Sequence, residues 1–201
     1  MIAAVPDVVA RAAAAFADTS HGVIVFRSHA VVNRPLQRAE VDDAAFVFVD
    51  GRKVSSSAAN PGGPASAEAV AHQPYDPRYV AEYRYASTAC VAPCPSGAIA
   101  VSFDAVARDA MHGHGVMVVD PVTAHILRTT TIPYVVPSPA RSGTLVTTWG
   151  ATPAGWFPIA TTGTFIGQIG PFRGHATLTQ TFTGYARYPS VAAAQKALPQ
   201  G

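Results

Sequence analysis

The stretch Arg173-Gly-His-Ala-Thr-Leu-Thr-Gln-Thr-Phe-Thr-Gly-Tyr-Ala-Arg-Tyr188 decides the fold. Its even positions carry Ala176, Leu178, Gln180, Phe182, Gly184, Ala186 and Tyr188. Its odd positions carry His175, Thr177, Thr179, Thr181, Thr183, Tyr185 and Arg187. A period of two, rich in β-branched and aromatic residues, marks a strand with one wetter face. Two phrases upstream share that character: Gly115-Val-Met-Val-Val-Asp120-Pro-Val-Thr-Ala-His-Ile-Leu-Arg128 and Gly155-Trp-Phe-Pro158. The turns between them leave no room for a helix. The last third therefore reads as strands over about 115–119, 124–135, 143–150, 156–163, 164–169 and 173–188.

Ahead of this meander the pattern changes twice. Pro6 to Ala17 reads as a helix (about 5–17), with Pro near its start, Asp7 in its first turn and an Ala-rich run. Val5, Val8, Val9, Ala12 and Phe16 fall on one face at helical spacing, and that face requires burial. Val23–Asn33 then reads as a strand closed by Pro35. Ala39–Val49 is a second, and its Asp50-Gly51 ending is a hairpin signal that returns the chain through Arg52–Ser57.

A lid-like loop is expected over about 55–77, with Ala59-Asn-Pro-Gly-Gly-Pro64 at its centre and two helical turns over Ala65–His72. A solvated connector fits the same composition. Tyr79–Tyr85 and Ala98–Phe103 alternate as strands, and Asp104–Met111 suits one or two helical turns capped by Asp104. Pro189 ends the sheet, and Ser190 to Leu198 reads as a short helix with Ser190 as N-cap.

The bulk numbers exclude several classes. A chain of 201 residues, 49% apolar and 13% charged, is a folded globular protein, and residues 1–201 are expected to form a single domain. A formal net charge of +2 without a Lys/Arg cluster argues against a nucleic-acid footprint. No run reaches the ~20 apolar residues that span a bilayer. The opening Met1-Ile-Ala-Ala-Val-Pro-Asp7 lacks a basic n-region, so it does not read as a signal peptide. Cys90 and Cys94 stand in a Pro/Gly loop at C-x3-C spacing. Such a pair closes a small disulfide ring and favours an oxidising compartment; inert thiols remain the alternative, and a zinc site would need ligands at finger spacing that are missing.

About ten strands in one meander make a large antiparallel sheet, which must curl to bury its inner face. The fold class is mainly β: a large curved antiparallel sheet, an incomplete barrel, with the N-terminal helix packed in or across its concave face. The order of elements, the phrase "VVDPVTAHILR" and the later "GWFP" resemble the LolA/LolB-like superfamily of bacterial outer-membrane lipoprotein carriers. That resemblance implies a half-barrel holding acyl chains beneath helices, in the periplasm or another extracytoplasmic compartment. It covers most of the chain by element order, but only residues 116–128 and 155–158 by wording.

Chemistry-bearing constellations are few. No G-x-S-x-G elbow or phosphate loop occurs, and Asp42 and Asp43 stand side by side on a strand, facing opposite sides. His112-Gly-His114 is the one close histidine pair; on a strand it would aim both rings one way, with His125 nearby past the turn. Those three histidines are the candidate ligands of a metal-dependent enzyme, the alternative reading. Neither a metal nor a catalytic residue is assigned in the favoured one, and no cofactor is expected.

The favoured reading is a non-enzymatic binding protein for a hydrophobic ligand, a lipid or a lipoprotein acyl chain. Its groove residues are expected to be Phe26, Phe48, Trp149, Leu178 and Phe182, each alternating with polar neighbours or ending a strand on the drier face. The expected partners are a lipid or acylated protein and a transient membrane or envelope partner, with the chain itself a monomer. A structural cell-envelope module, its groove filled by side chains, is a third reading.

Overall fold

The tight turn at Asp50-Gly51 shows how closely local chemistry sets this fold. Both residues take positive φ, 48° and 73°, the mirror-image turn whose twist matches paired strands. The computed structural model describes residues 5–35, 37–58, 71–91, 93–136, 138, 140–169 and 172–198. Helix α1 (Val5–Ser20) leads into β1 (Val23–Asn33), β2 (Glu40–Val49) and β3 (Arg52–Ala58). A short 3-10 turn at Val80–Glu82 precedes β4 (Tyr83–Thr88), β5 (Ile99–Ala105), β6 (Gly113–Val119) and β7 (Ile126–Pro133). Strands β8 (Ala140–Thr152), β9 (Gly155–Ile169) and β10 (Phe172–Tyr188) follow, and helix α2 (Val191–Lys196) comes last.

All ten strands form one antiparallel sheet in the order β3-β2-β1-β10-β9-β8-β7-β6-β5-β4. The last strand pairs with the first, so the sheet's two free edges are β3 and β4. The sheet is not closed.

Helix α1 fills half of the concave face. Val8, Val9 and Ala12 pack with Val101, Phe103, Met117, Val119 and Ile126 from β5, β6 and β7. Arg11 donates to the carbonyls of Pro121 and Val122 in the β6–β7 turn. That turn is the Asp-Pro-Val-Thr phrase, where the Asp120 carboxylate accepts from the backbone N–H of Val122 at 2.8 Å. At the other end, Arg187 of β10 donates to the carbonyls of Thr19 and His21 at 2.6 Å each. The last turn of α1 has no basic residue of its own, so this guanidinium satisfies its orphan carbonyls and complements its dipole. Helix α2 covers the opposite face, where Val25, Val47 and Ala194 are buried together, and the Ser190 side chain caps it by accepting from Ala193 N–H.

Three local expectations are corrected. Residues 156–163 and 164–169 are one strand, β9. Gly163 passes through the middle because a missing Cβ there makes room for Leu145 and Leu178. Asp104–Met111 is not helical: β5 continues to Ala105, and Val106 N–H donates to Glu82 O, so pairing with the β4 side wins over capping. Tyr79–Glu82 is not strand, because the Asp76 carbonyl accepts from both Tyr79 and Val80 and winds the chain into a helical turn. Of the lid-like loop, residues 55–58 belong to β3, 59–70 lie outside the described residues, and 71–77 are seated against the barrel.

Candidate functional site: an aromatic cavity in the open half of the barrel

The half of the concave face that α1 leaves uncovered is lined with rings. Phe26 is the hub: its ring lies 5.2 Å from both Phe46 and Phe48, 6.0 Å from Phe182 and 5.0 Å from Tyr185. These side chains come from adjacent strands β2, β1 and β10, whose inward positions alternate with outward ones. They enclose a cavity of about 800 Å³, within the size range of small-molecule and lipid pockets. Phe16 and Ser20 of α1, Trp149 of β8 and Leu178 of β10 complete its inner wall.

Most polar side chains in that wall are paired; among the described residues the exception is Trp149, whose indole Nε1 is buried without a hydrogen-bond partner. Gln180 donates to Ser28 Oγ at 2.7 Å, and Thr147 and Thr161 share a hydroxyl hydrogen bond of 2.9 Å. Tyr185 donates to Pro158 O at 2.6 Å, and burial pushes its hydroxyl pKa up. Paired polar groups present little unmet hydrogen bonding to the cavity, so its interior suits apolar matter.

The rim is different. Arg52, Lys53 and Arg78 stand at one mouth, with Asp76 beside them. Asp76 is buried and takes the Arg78 guanidinium in a bidentate pair, with Nε to Oδ1 at 2.8 Å. That pair raises the Arg78 pKa. Arg78 also donates to Gly51 O in the β2–β3 turn. The segment that precedes β4 is thereby tied across the opening to the β3 side.

All five groove residues expected from the sequence, Phe26, Phe48, Trp149, Leu178 and Phe182, lie in this lining. Trp149 does so as part of the α1 core, edge-on to Phe16 and Tyr75. Sequence reasoning missed Tyr185, which it assigned to the wetter face of β10. Gly184 takes φ 65° and the β1–β10 register shifts beside it, between Val25 and Arg27, so the inward face changes from even to odd positions. A glycine inside a strand was the available signal. Tyr75 and Arg78 were missed because their segment has no period to read.

The histidines do not meet as the sequence suggested. His114 stacks on Tyr134 at 5.2 Å, and His125 stacks on Trp156 at 4.5 Å. His112 lies just before β6, not on it, so the strand rule for H-x-H does not apply. Its ring is buried and bonds Glu82 through Nε2 at 2.8 Å and Asp109 through Nδ1 at 2.6 Å. Burial opposes the charge on His112, but these two carboxylates outweigh it and raise its pKa. The hydrogen bond to His112 lowers the pKa of Glu82 and of Asp109. A second ring, His72, reaches the same Glu82 oxygen at 2.8 Å. Cys90 and Cys94 form a disulfide in the β4–β5 connection, and Arg128 donates to the carbonyls of Val91 and Pro93 within that ring.

No family model matches this sequence, and comparison with curated proteins gives no match either. Solved structures do match. A DUF1329 family protein from Desulfovibrio piger is 10% identical, with 93% of this chain and 94% of that one covered and a TM-score of 0.50. A LolA superfamily protein from Nitrosomonas europaea is 6% identical over 98% and 99% of the two chains, at a TM-score of 0.46. MucB from Pseudomonas aeruginosa, in complex with MucA, is 12% identical over 94% and 95%, at 0.30. The chain shares its overall fold with the DUF1329 family protein. The likeness is one of fold alone.

Proposed function

We propose that this protein is a non-enzymatic carrier for a hydrophobic ligand, a lipid or the acyl chain of a lipoprotein, working outside the cytoplasm as a monomeric unit. The observation that supports this best is the aromatic cavity of about 800 Å³ opened by the same sheet that elsewhere packs solidly on α1. Phe26, Phe48, Leu178 and Phe182 hold the chain of the ligand, with Trp149 at its inner end. Each methylene withdrawn from water contributes about 0.8 kcal/mol. Arg52 and Lys53 at the mouth favour an acidic headgroup there, the Arg78 charge being matched already by Asp76. The disulfide fits an oxidising compartment. Among the described residues no helix is long and apolar enough to cross a membrane.

Native mass spectrometry of the protein gently purified from its own host tests the reading. A co-purifying lipid mass that is lost on organic extraction is the expected result. A bare chain that also fails to take up a fluorescent fatty acid would overturn it.

A further inference from the structure

Three donor atoms from three separate segments converge beside the cavity. His72 Nδ1, Glu82 Oε2 and His112 Nε2 all lie within 4.8 Å of one another. His72 precedes the 3-10 turn, Glu82 ends that turn, and His112 ends the turn before β6. Both histidines are held from behind. His72 stacks flat on Tyr79 at 3.9 Å, while its backbone N–H donates to Met111 O and its backbone carbonyl accepts from the Tyr83 hydroxyl. His112, 6% exposed in its side chain, has Nδ1 fixed by Asp109 Oδ1.

Proton counting shows what this arrangement lacks. Both nitrogens of the His112 ring face a carboxylate oxygen, and with the single proton of the neutral ring on Nδ1, toward Asp109, Nε2 presents a lone pair. That lone pair faces a carboxylate oxygen at 2.8 Å, and the His72 ring nitrogen converges on the same oxygen. Something positive must stand among them. An extra proton on His112 is one answer, and a divalent cation shared by all three donors is the other.

We propose that His72, Glu82 and His112 form a zinc site, with Asp109 as the carboxylate that positions the His112 ring. Two imidazoles and one carboxylate are a donor set suited to Zn²⁺, with a fourth position left open. A buried histidine whose second nitrogen is held by a carboxylate is the usual supporting arrangement around such ions. Bonds of about 2.0–2.2 Å in a tetrahedron need donors roughly 3.4 Å apart, so the two His–Glu contacts open by about half an ångström on loading. Glu82, 40% exposed in its side chain, has the freedom to move by that amount. His72 and Met111 also line the cavity. The ion would therefore pin the segment that closes the cavity's edge to β4 and β6. The site stands on its own donors and does not depend on the carrier reading.

The test is isothermal titration of untagged, chelator-stripped protein with zinc chloride, with cobalt(II) absorption as a check on coordination. One zinc per chain is expected, along with a tetrahedral cobalt spectrum and a rise in Tm. His72→Ala and Glu82→Gln, both on the accessible side of the cluster, should each weaken binding at least a hundredfold. Asp109→Asn should weaken it about 10- to 100-fold. His125→Ala and His29→Ala should bind like the wild type, which separates this site from adventitious histidine binding. Circular dichroism establishes that each variant is folded. No zinc uptake by folded wild type, or unchanged uptake by both His72→Ala and Glu82→Gln, would overturn the proposal and leave the extra proton as the answer.

Discussion

One sheet has two inner faces of opposite design. On β5 and β6 the inward side chains, Val101, Phe103, Met117 and Val119, are 0–2% exposed beneath α1. On β1, β2 and β10 the inward side chains are larger and aromatic, yet Phe26, Phe48 and Phe182 stay only partly buried. Bigger rings with less covering mean an unfinished core. The first face is filled by the protein itself; the second has room for about 800 Å³ of something else. The difference teaches that apolar content alone does not mark a binding surface. What marks it is apolar area that the chain's own helices leave uncovered.

Mutation should separate the halves. Phe103→Ala empties a sealed core and should cost about 3–5 kcal/mol. Phe182→Ala enlarges a space that already exists and should cost only about 1 kcal/mol. Urea titrations of both variants check this, and equal losses would break the comparison. A charge sharpens it further. Met117→Asp should prevent folding, because Met117 is 0% exposed. Phe182→Asp should fold and yet lose fatty-acid uptake by at least tenfold, measured by fluorescence displacement.

The sequence made the first half of this contrast easy to read and the second only partly. Val8, Val9 and Ala12 at helical spacing announced a face that needed burial, and they are buried. Alternation along β1, β2 and β10 located Phe26, Phe48, Leu178 and Phe182 on one wall because side-chain direction in a strand is a local property. It failed at Gly184, where one extra residue moves Tyr185 to the inner face. The residues that close the cavity edge, Tyr75, Asp76 and Arg78, come from a turn without periodicity. Their place is set by a bond from Arg78 to Gly51, 27 positions away. The histidine cluster was beyond local reading for the same reason. Glu82 and His112 are 30 positions apart and meet only because β4 pairs with β5 and β5 with β6.

The disulfide contributes at an edge rather than in either core. Cys90 and Cys94 close a ring of few residues, so the entropy removed from the unfolded chain is modest, about 2 kcal/mol. Cys90→Ser with Cys94→Ser should lower stability by that amount and leave fatty-acid uptake unchanged, because the ring lies outside the cavity lining. A loss of uptake equal to that of Phe182→Asp would show that the β4–β5 end takes part in the cavity after all.

The smallest effect belongs to the Asp120 turn, which fastens α1 through Arg11 to the filled half. The backbone N–H of Val122 donates to the Asp120 carboxylate and holds its pKa below the ordinary 3.8. A carboxyl lowered in the folded state stabilises the fold above its unfolded pKa, and that stability is lost as pH falls through the folded value. Asp120→Asn should therefore be slightly less stable than wild type at pH 7, and the gap should close on acidification below about 4. Thermal melts at both pH values measure it. Because α1 seals only one half of the sheet, the same variant should leave the cavity's uptake of fatty acid unchanged at pH 7. A parallel fall in uptake would show that the two halves are coupled through the helix.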